Sequence, residues 1–343
     1  MEFRERIARY LETKLPDCRN VEVENLVRIP GGASRETWSV DVRWTDGSGT
    51  VRRQGLVFRC DPPASLVRSR REVEFAFYRS FYGSRVPVPR PLWLETEPGG
   101  LERPFFVMER VDGCESDFQK LLEPDFAPHR EALAERMYSI LGEIAKTPIE
   151  NLPAAEVVDI PDASSCWRLE LDFWERTIDE NELEPQPIAR AAIRWLRRHP
   201  PPAAQRVSVV HGDYRTGNFL YRGAEIHAIL DWEMAHFGDP LEDLAWSLMR
   251  SWQWARDGKA GGIVEREKAI AIWERESGLR ADPAALHWWE VLACVKAQGI
   301  WLTGARVYQL GEARDVILAF TSYWLMNAQD RFLLEALGRL GPV

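Results

Sequence analysis

Trp38, Val40, Val42 and Trp44 alternate with Ser39, Asp41 and Arg43 and run into Asp46-Gly47. A period of two that ends in a turn dipeptide predicts a half-buried strand closing in a hairpin. Val21 to Ile29 before it and Gln54 to Cys60 after it complete a three-stranded meander. From Ala64 to Tyr82 the positions Val67, Phe77, Tyr78 and Phe81 take helical spacing, and the predicted helix stops before Gly83. Val86 to Pro91, with three prolines, favours extended backbone. Two more strands are predicted at Leu92 to Thr96 and Phe105 to Glu109, giving five strands with one helix between the third and the fourth.

Beyond Asp112-Gly113 the period changes. Leu133, Met137, Ile140, Leu141 and Ile144 form one helical stripe, and Trp167, Leu171, Trp174 and Ile178 form another. Twelve of the fifteen tryptophans follow residue 160, so the larger core belongs to this part. The pattern predicts an α+β chain: a small β-rich lobe with one helix at residues 1–110 and a larger mostly helical lobe at 111–343.

A chain of 343 residues is long enough for two such lobes with a sizeable core. Hydrophobic content of 45% and charged content of 28% exclude wholesale disorder and rod-like repeats. The net charge of -9 argues against gripping nucleic acid or an anionic membrane, and neither is an expected partner. Cys18, Cys60, Cys114, Cys166 and Cys294 never approach a CxxC spacing, which points to free thiols in a reducing cytoplasm. The amino-terminal residues are studded with charge, unlike a signal peptide, and the uncharged stretch from Val316 to Gln329 is too short and too polar for a membrane span. None of these patterns sets an oligomeric state.

The chemistry concentrates in residues 207–246. His211-Gly212-Asp213 is followed by Asn218, a hairpin and an apolar run that ends in Asp231. Strands over 218–221 and 225–230, joined by a turn at 222–224, return the chain to its start and put Asn218 beside Asp231. Oxygen donors paired in this way suit Mg2+. Phosphoryl transfer also needs a carboxylate that orients the attacking hydroxyl and takes its proton, a role that Asp213 fits. A lone loop Asp or Asn is ordinary turn chemistry, whereas this composite spacing is not. The spacing of His211 proposes no metal site; by itself it reads as a satisfied buried histidine.

This stretch resembles the Brenner motif of the aminoglycoside phosphotransferase and choline kinase-like family, the small-molecule branch of the protein-kinase-like fold. The resemblance implies a two-lobed kinase that uses ATP and Mg2+ and moves the γ-phosphoryl group to a hydroxyl of a small-molecule acceptor. It implies that Asp213 is the catalytic base and that Asn218 and Asp231 are the Mg2+ ligands. His211 becomes an organiser of the catalytic loop. Asp243, in Gly238-Asp239-Pro240 followed by Asp243-Leu244-Ala245, becomes its support, accepting backbone N–H groups.

In the first lobe the resemblance places Gly31, Gly32 and Ser34 in a phosphate-covering loop, although Gly-Gly between strands is by itself a plain turn and GxGxxG is absent. Arg59, in Leu56-Val57-Phe58-Arg59, stands where kinases carry their phosphate-binding Lys. The branch related to acyl-CoA-dehydrogenase-associated phosphotransferases is similar in having Arg there, followed as here by Asp61-Pro62-Pro63. A guanidinium can hold phosphate and carboxylate through its fork. The resemblance also implies a helix partner for Arg59, read as Glu74 because its distance to the Val86–Pro91 stretch is similar to the family's, with Glu72 as the other candidate. It implies as well a hinge at about 108–113 whose backbone from Glu109 to Val111 would meet adenine.

Three functions compete. A protein kinase needs a long activation segment, but only seven residues separate Asp231 from Asp239. A catalytically silent nucleotide-binding module is the alternative that Arg59 supports, while the presence of Asp213, Asn218 and Asp231 favours a small-molecule kinase. For the acceptor, Asp172, Glu175, Asp179 and Glu180 offer either an acidic pocket wall or a solvated helix face. No residue pattern names the alcohol.

Overall fold

The structure, a computed structural model, describes residues 2–15, 17–29, 36–61, 70–97, 100–253, 257–311 and 316–339. The first lobe contains α1 (Phe3–Lys14), β1 (Arg19–Ile29), β2 (Glu36–Thr45), β3 (Val51–Cys60), α2 (Arg71–Phe81), β4 (Pro91–Glu95) and β5 (Phe105–Glu109). Its strands form one antiparallel sheet in the order β1-β2-β3-β5-β4.

Alternation along β3 decides what covers each face. Leu56, Phe58 and Cys60 point into a core with Ile7, Tyr10 and Leu11 of α1, while Val57 and Arg59 point the other way. Each fully buried side chain of that core contributes about 1.5–3 kcal/mol. Helix α1 is an addition to the predicted elements: its three buried residues, at i, i+3 and i+4, are masked in sequence by the charges around them. Helix α2 starts at Arg71 and not at Ala64, because Arg70 is extended (φ -80°, ψ 135°). Residues 64–69 lie outside the described residues.

The second lobe follows as α3 (Arg130–Lys146), α4 (Cys166–Asn181), α5 (Pro187–Arg198), β6 (Ser208–Val210), β7 (Phe219–Arg222), β8 (Glu225–Ile229), β9 (His236–Gly238), α6 (Leu241–Leu248), α7 (Arg266–Ser277), α8 (Pro283–Gln309) and α9 (Val316–Ala336). Helix α8 packs against α4, α5, α6 and α9, and α3 lies along α7. The core of this lobe is continuous with Ala76, Phe77, Tyr78 and Phe81, so α2 belongs to it in packing although it follows β3 in sequence. The hairpin turn is tighter than predicted. Arg222 pairs with Glu225, leaving Gly223 at φ +56° and Ala224 as the loop.

No helix among the described residues is long and apolar enough to cross a membrane. The five cysteines are free thiols.

Candidate active site

Strands β6 and β9 pair antiparallel and fix the ends of the segment that contains residues 211–235. Gly212 takes φ +84°, and a Cβ there would lie 2.5 Å from the Met234 carbonyl oxygen, so only glycine fits. Asp243, buried in α6, accepts the Gly212 N–H at 2.9 Å and the His211 N–H at 2.6 Å. Burial pushes its carboxyl up to about 6, against those two hydrogen bonds. His211 Nδ1 accepts the Asp213 N–H at 3.1 Å, so Nε2 carries the proton and donates to the Leu230 carbonyl at 2.9 Å. Burial lowers this imidazole to about 4 and keeps it neutral. His211 thereby ties the loop to the far end of the β7–β8 hairpin.

The loop presents Asp213. Its Oδ1 accepts from Trp246 Nε1 at 2.8 Å and Arg215 Nε at 3.0 Å, and its Oδ2 accepts from Asn218 Nδ2 at 2.6 Å. The Leu230 N–H donates to the Asn218 carbonyl at 2.8 Å, so the hairpin brings Asn218 and Asp231 next to each other. Asp231 has left-handed backbone (φ 69°, ψ 55°), which Asp tolerates better than most residues. Its N–H donates to Tyr78 Oη of α2 at 3.0 Å.

Arg59 links the lobes. Its Nε lies 2.9 Å from Glu74 Oε1 and its Nη2 lies 2.7 Å from Asp231 Oδ1. Burial opposes the charge of Arg59, but the two carboxylates outweigh it and its pKa stands well above the ordinary guanidinium value. Burial likewise opposes ionisation of Asp231, and the adjacent Arg59 holds its carboxyl below the usual carboxylate range. Glu74 is fully buried and also accepts from Arg71 Nη1 at 2.7 Å, while Arg71 reaches Asp61. Glu72 stays near the surface beside Arg70.

At the hinge the amides of Glu109 and Arg110 are used on the carbonyls of Arg90 and Gly55. The Arg110 guanidinium lies across Gly55, pairs with Asp41 at 2.6 Å and Asp112 at 2.5 Å, and donates to Ser39 Oγ at 3.0 Å. Gly31, Gly32 and Ser34 lie outside the described residues. Sequence reading missed Arg71, Tyr78, Arg110, Arg215 and Trp246; only Trp246, next to Ala245 in the Asp-Leu-Ala run, carried a local signal.

A cavity of about 470 Å3 opens between α2, α4, residues 233–236 and Lys296 of α8; it reaches the chain just past Asp231, while Asp213, Asn218, Asp231, Arg59 and Glu74 do not line it. None of the four acidic α4 residues weighed for an acceptor wall lines it: Asp172 and Glu175 pair with Arg197 and Asp179 with Arg190 of α5, and Glu180 is exposed. Glu170, Phe173 and Trp174 line the cavity instead.

The profile of the phosphotransferase enzyme family matches residues 25–298. Acyl-CoA dehydrogenase family member 11 from Pongo abelii is 27% identical over 261 residues, 72% of this chain and 33% of that protein. The chain thus spans about a third or less of the length of the first curated relatives it matches. A solved Ralstonia eutropha protein, assigned as an aminoglycoside phosphotransferase, superposes with a TM-score of 0.73 at 20% identity and 98% coverage of both chains. A thermostable mutant of an aminoglycoside phosphotransferase, solved as a ternary complex with AMP-PNP and hygromycin B, superposes with a TM-score of 0.59 at 16% identity, covering 95% of this chain and 98% of that one.

Proposed function

Because the chain belongs to the phosphotransferase enzyme family, we propose that it transfers the γ-phosphoryl group of ATP to a hydroxyl of a small molecule. The observation that carries the proposal is the convergence at the lobe junction of Asp213, Asn218, Asp231 and the Arg59–Glu74 pair. Residues 1–110 then hold the nucleotide, and residues 111–343 supply the reacting groups and the acceptor site.

The nucleotide is assigned to the sheet face that carries Arg59. Register puts Val27, Ser39 and Val57 on that face, together with Ile29, Thr37 and Arg59. Val27 and Ile29 are exposed there (56% and 43%), an apolar surface suited to a purine ring. With the Glu109 and Arg110 amides spent within the lobe, the Val111 amide is assigned to the base edge. Arg59, held by Glu74, supplies the phosphate cation, and residues 31–34 would cover the phosphates.

With its Nδ2 committed to Asp213, Asn218 offers Oδ1 beside the Asp231 carboxylate, an all-oxygen donor set that fits Mg2+. Bound there, Mg2+ would neutralise phosphate charge. Asp213 has two donors on Oδ1 and one on Oδ2, which leaves a lone pair on Oδ2 to orient the acceptor hydroxyl and take its proton. The cavity between α2, α4 and residues 233–236, with Phe173 and Trp174 among apolar and charged side chains, is assigned to the acceptor.

A silent nucleotide-binding module is the second reading. It is favoured by the contact of Arg59 Nη2 with Asp231, which the kinase reading must loosen when nucleotide enters. ADP release over a panel of alcohols, amino alcohols, sugars, aminoglycosides, macrolides and hydroxyacyl-CoA separates the two. Acceptor-dependent ADP that Asp213→Asn abolishes supports the kinase. ATP binding with no turnover on any acceptor supports the module, and no ATP binding with Mg2+ present removes both.

A further inference from the structure

Glu170 of α4, His236 of β9 and Glu242 of α6 bring three metal-ligating atoms within 4.8 Å of one another at the edge of the 470 Å3 cavity. The His236 Nε2 lies 3.1 Å from Glu242 Oε2 and 3.3 Å from Glu170 Oε1. Donors about 2.0–2.1 Å from a tetrahedral ion stand about 3.3 Å from each other; the two His236 separations match that spacing as well as that of an ion pair, and all three atoms fall within 4.8 Å.

Each of the three is also held from behind. His236 Nδ1 lies 3.0 Å from the Met234 carbonyl, a contact that requires the proton on Nδ1 and turns Nε2 toward the carboxylates. Glu170 Oε2 accepts from Trp174 Nε1 at 3.2 Å. Glu242 Oε1 accepts from Lys296 Nζ at 2.9 Å, and that ammonium is itself seated 4.9 Å from the Trp246 ring centre. A backbone carbonyl on the histidine and hydrogen bonds on both carboxylates are the outer support that orients metal ligands. An Nε2 between two carboxylate oxygens must bring positive charge with it, as a proton or as a metal ion.

We infer that Glu170, His236 and Glu242 form a site for a divalent transition ion of the zinc class, separate from the Mg2+ pair Asn218 and Asp231. One imidazole nitrogen and two carboxylate oxygens suit Zn2+ and its neighbours better than Mg2+, which avoids nitrogen. Three protein ligands leave a fourth position, and on this geometry it faces the cavity, where the ion would hold an oxygen or nitrogen atom of an entering molecule. The inference does not depend on the phosphoryl-transfer reading.

The test is a Co2+ titration of the metal-stripped full chain without nucleotide, followed by visible absorption and equilibrium dialysis. The expected result is one tightly bound equivalent with ligand-field bands, displaced by Zn2+. Asp231→Asn should keep it and His236→Gln should lose it. Since His236→Gln removes a buried partner and can disturb folding, Trp174→Phe provides a second arm: an aromatic side chain remains at this core position, the donor to Glu170 goes, and the Co2+ affinity of the folded chain, measured below its melting range, should fall about 10–100-fold. Absence of a bound equivalent overturns the site and leaves a proton as the charge on His236. Binding that survives both His236→Gln and Trp174→Phe, or that is lost in Asp231→Asn, overturns it equally.

Discussion

Replacing Arg59 with Ala strikes the junction of the lobes. The guanidinium touches two carboxylates, Glu74 at 2.9 Å and Asp231 at 2.7 Å, and Glu74 has no exposed surface. Its loss leaves Glu74 with Arg71 and strips Asp231 of its counter-charge. Breaking a buried pair from one side costs about 3–5 kcal/mol. At about 2 °C of melting temperature per kcal/mol, the lower end for larger domains, the fall should be about 6–10 °C. Because the pair is buried, added salt should recover little of it. Arg59→Lys should recover only part, since an ammonium is a point charge and cannot span both carboxylates as the fork does. Below the melting range, calorimetry should show Mg-ATP affinity reduced about 10- to 150-fold in Arg59→Ala, the loss of a hydrogen bond between charged groups of about 1.5–3 kcal/mol. Melting within 2 °C of the parent together with unchanged ATP affinity would refute both the energetic argument and the phosphate role.

Asp213→Asn should lower turnover by about 10^2- to 10^4-fold with ATP affinity nearly unchanged, as measured by steady-state kinetics and calorimetry, because the base acts on the acceptor. Asp231→Ala should remove the Mg2+ dependence of ATP binding and abolish transfer; a retained Mg2+ dependence takes Asp231 out of the metal site. Neutral buried His211 makes the fold acid-sensitive. Its imidazole pKa falls from 6.5 to about 4 on folding, so its contribution is full above 6.5 and is lost as pH drops from 6.5 to about 4, some 3 kcal/mol in all. Denaturant melts at pH 7, 5.5 and 4 should show that decline in the parent and a shallower one in His211→Gln.

The readable part of the site was the part built from near neighbours. Asp213, Asn218 and Asp231 sit on one loop and one hairpin, so their spacing carries their geometry. Glu74 is separable from Glu72 only through the family resemblance, in which the distance to the proline-rich stretch is similar. What escaped depends on folding at long range. Tyr78 meets Asp231 across 153 residues and Trp246 meets Asp213 across 33, and no periodicity announces either contact. Helix α1 escaped for the opposite reason: its signal is local but its buried face is only Ile7, Tyr10 and Leu11, among charges that dominate the segment. The α4 carboxylates show a third cause. A helix face rich in Asp and Glu looks the same in sequence whether it lines a pocket or pairs with arginines of the next helix, as Asp172, Glu175 and Asp179 do.

Helix α2 is packed as part of the second lobe. Its Phe77 and Phe81 stack on Trp232, Tyr78 meets the same ring edge-on, and all four side chains are fully buried. Swinging α2 outward, the movement that would separate Glu74 from Arg59, exposes those rings at about 1.5–3 kcal/mol each, some 6–12 kcal/mol together. A ligand or modification that drives a two-state equilibrium nearly to completion supplies about 5.5 kcal/mol. Helix displacement is therefore outside the reach of an ordinary effector here. The pairing of Arg59 with Glu74 is thus set when the chain folds, and on the kinase reading nucleotide entry has to loosen Arg59 only from Asp231.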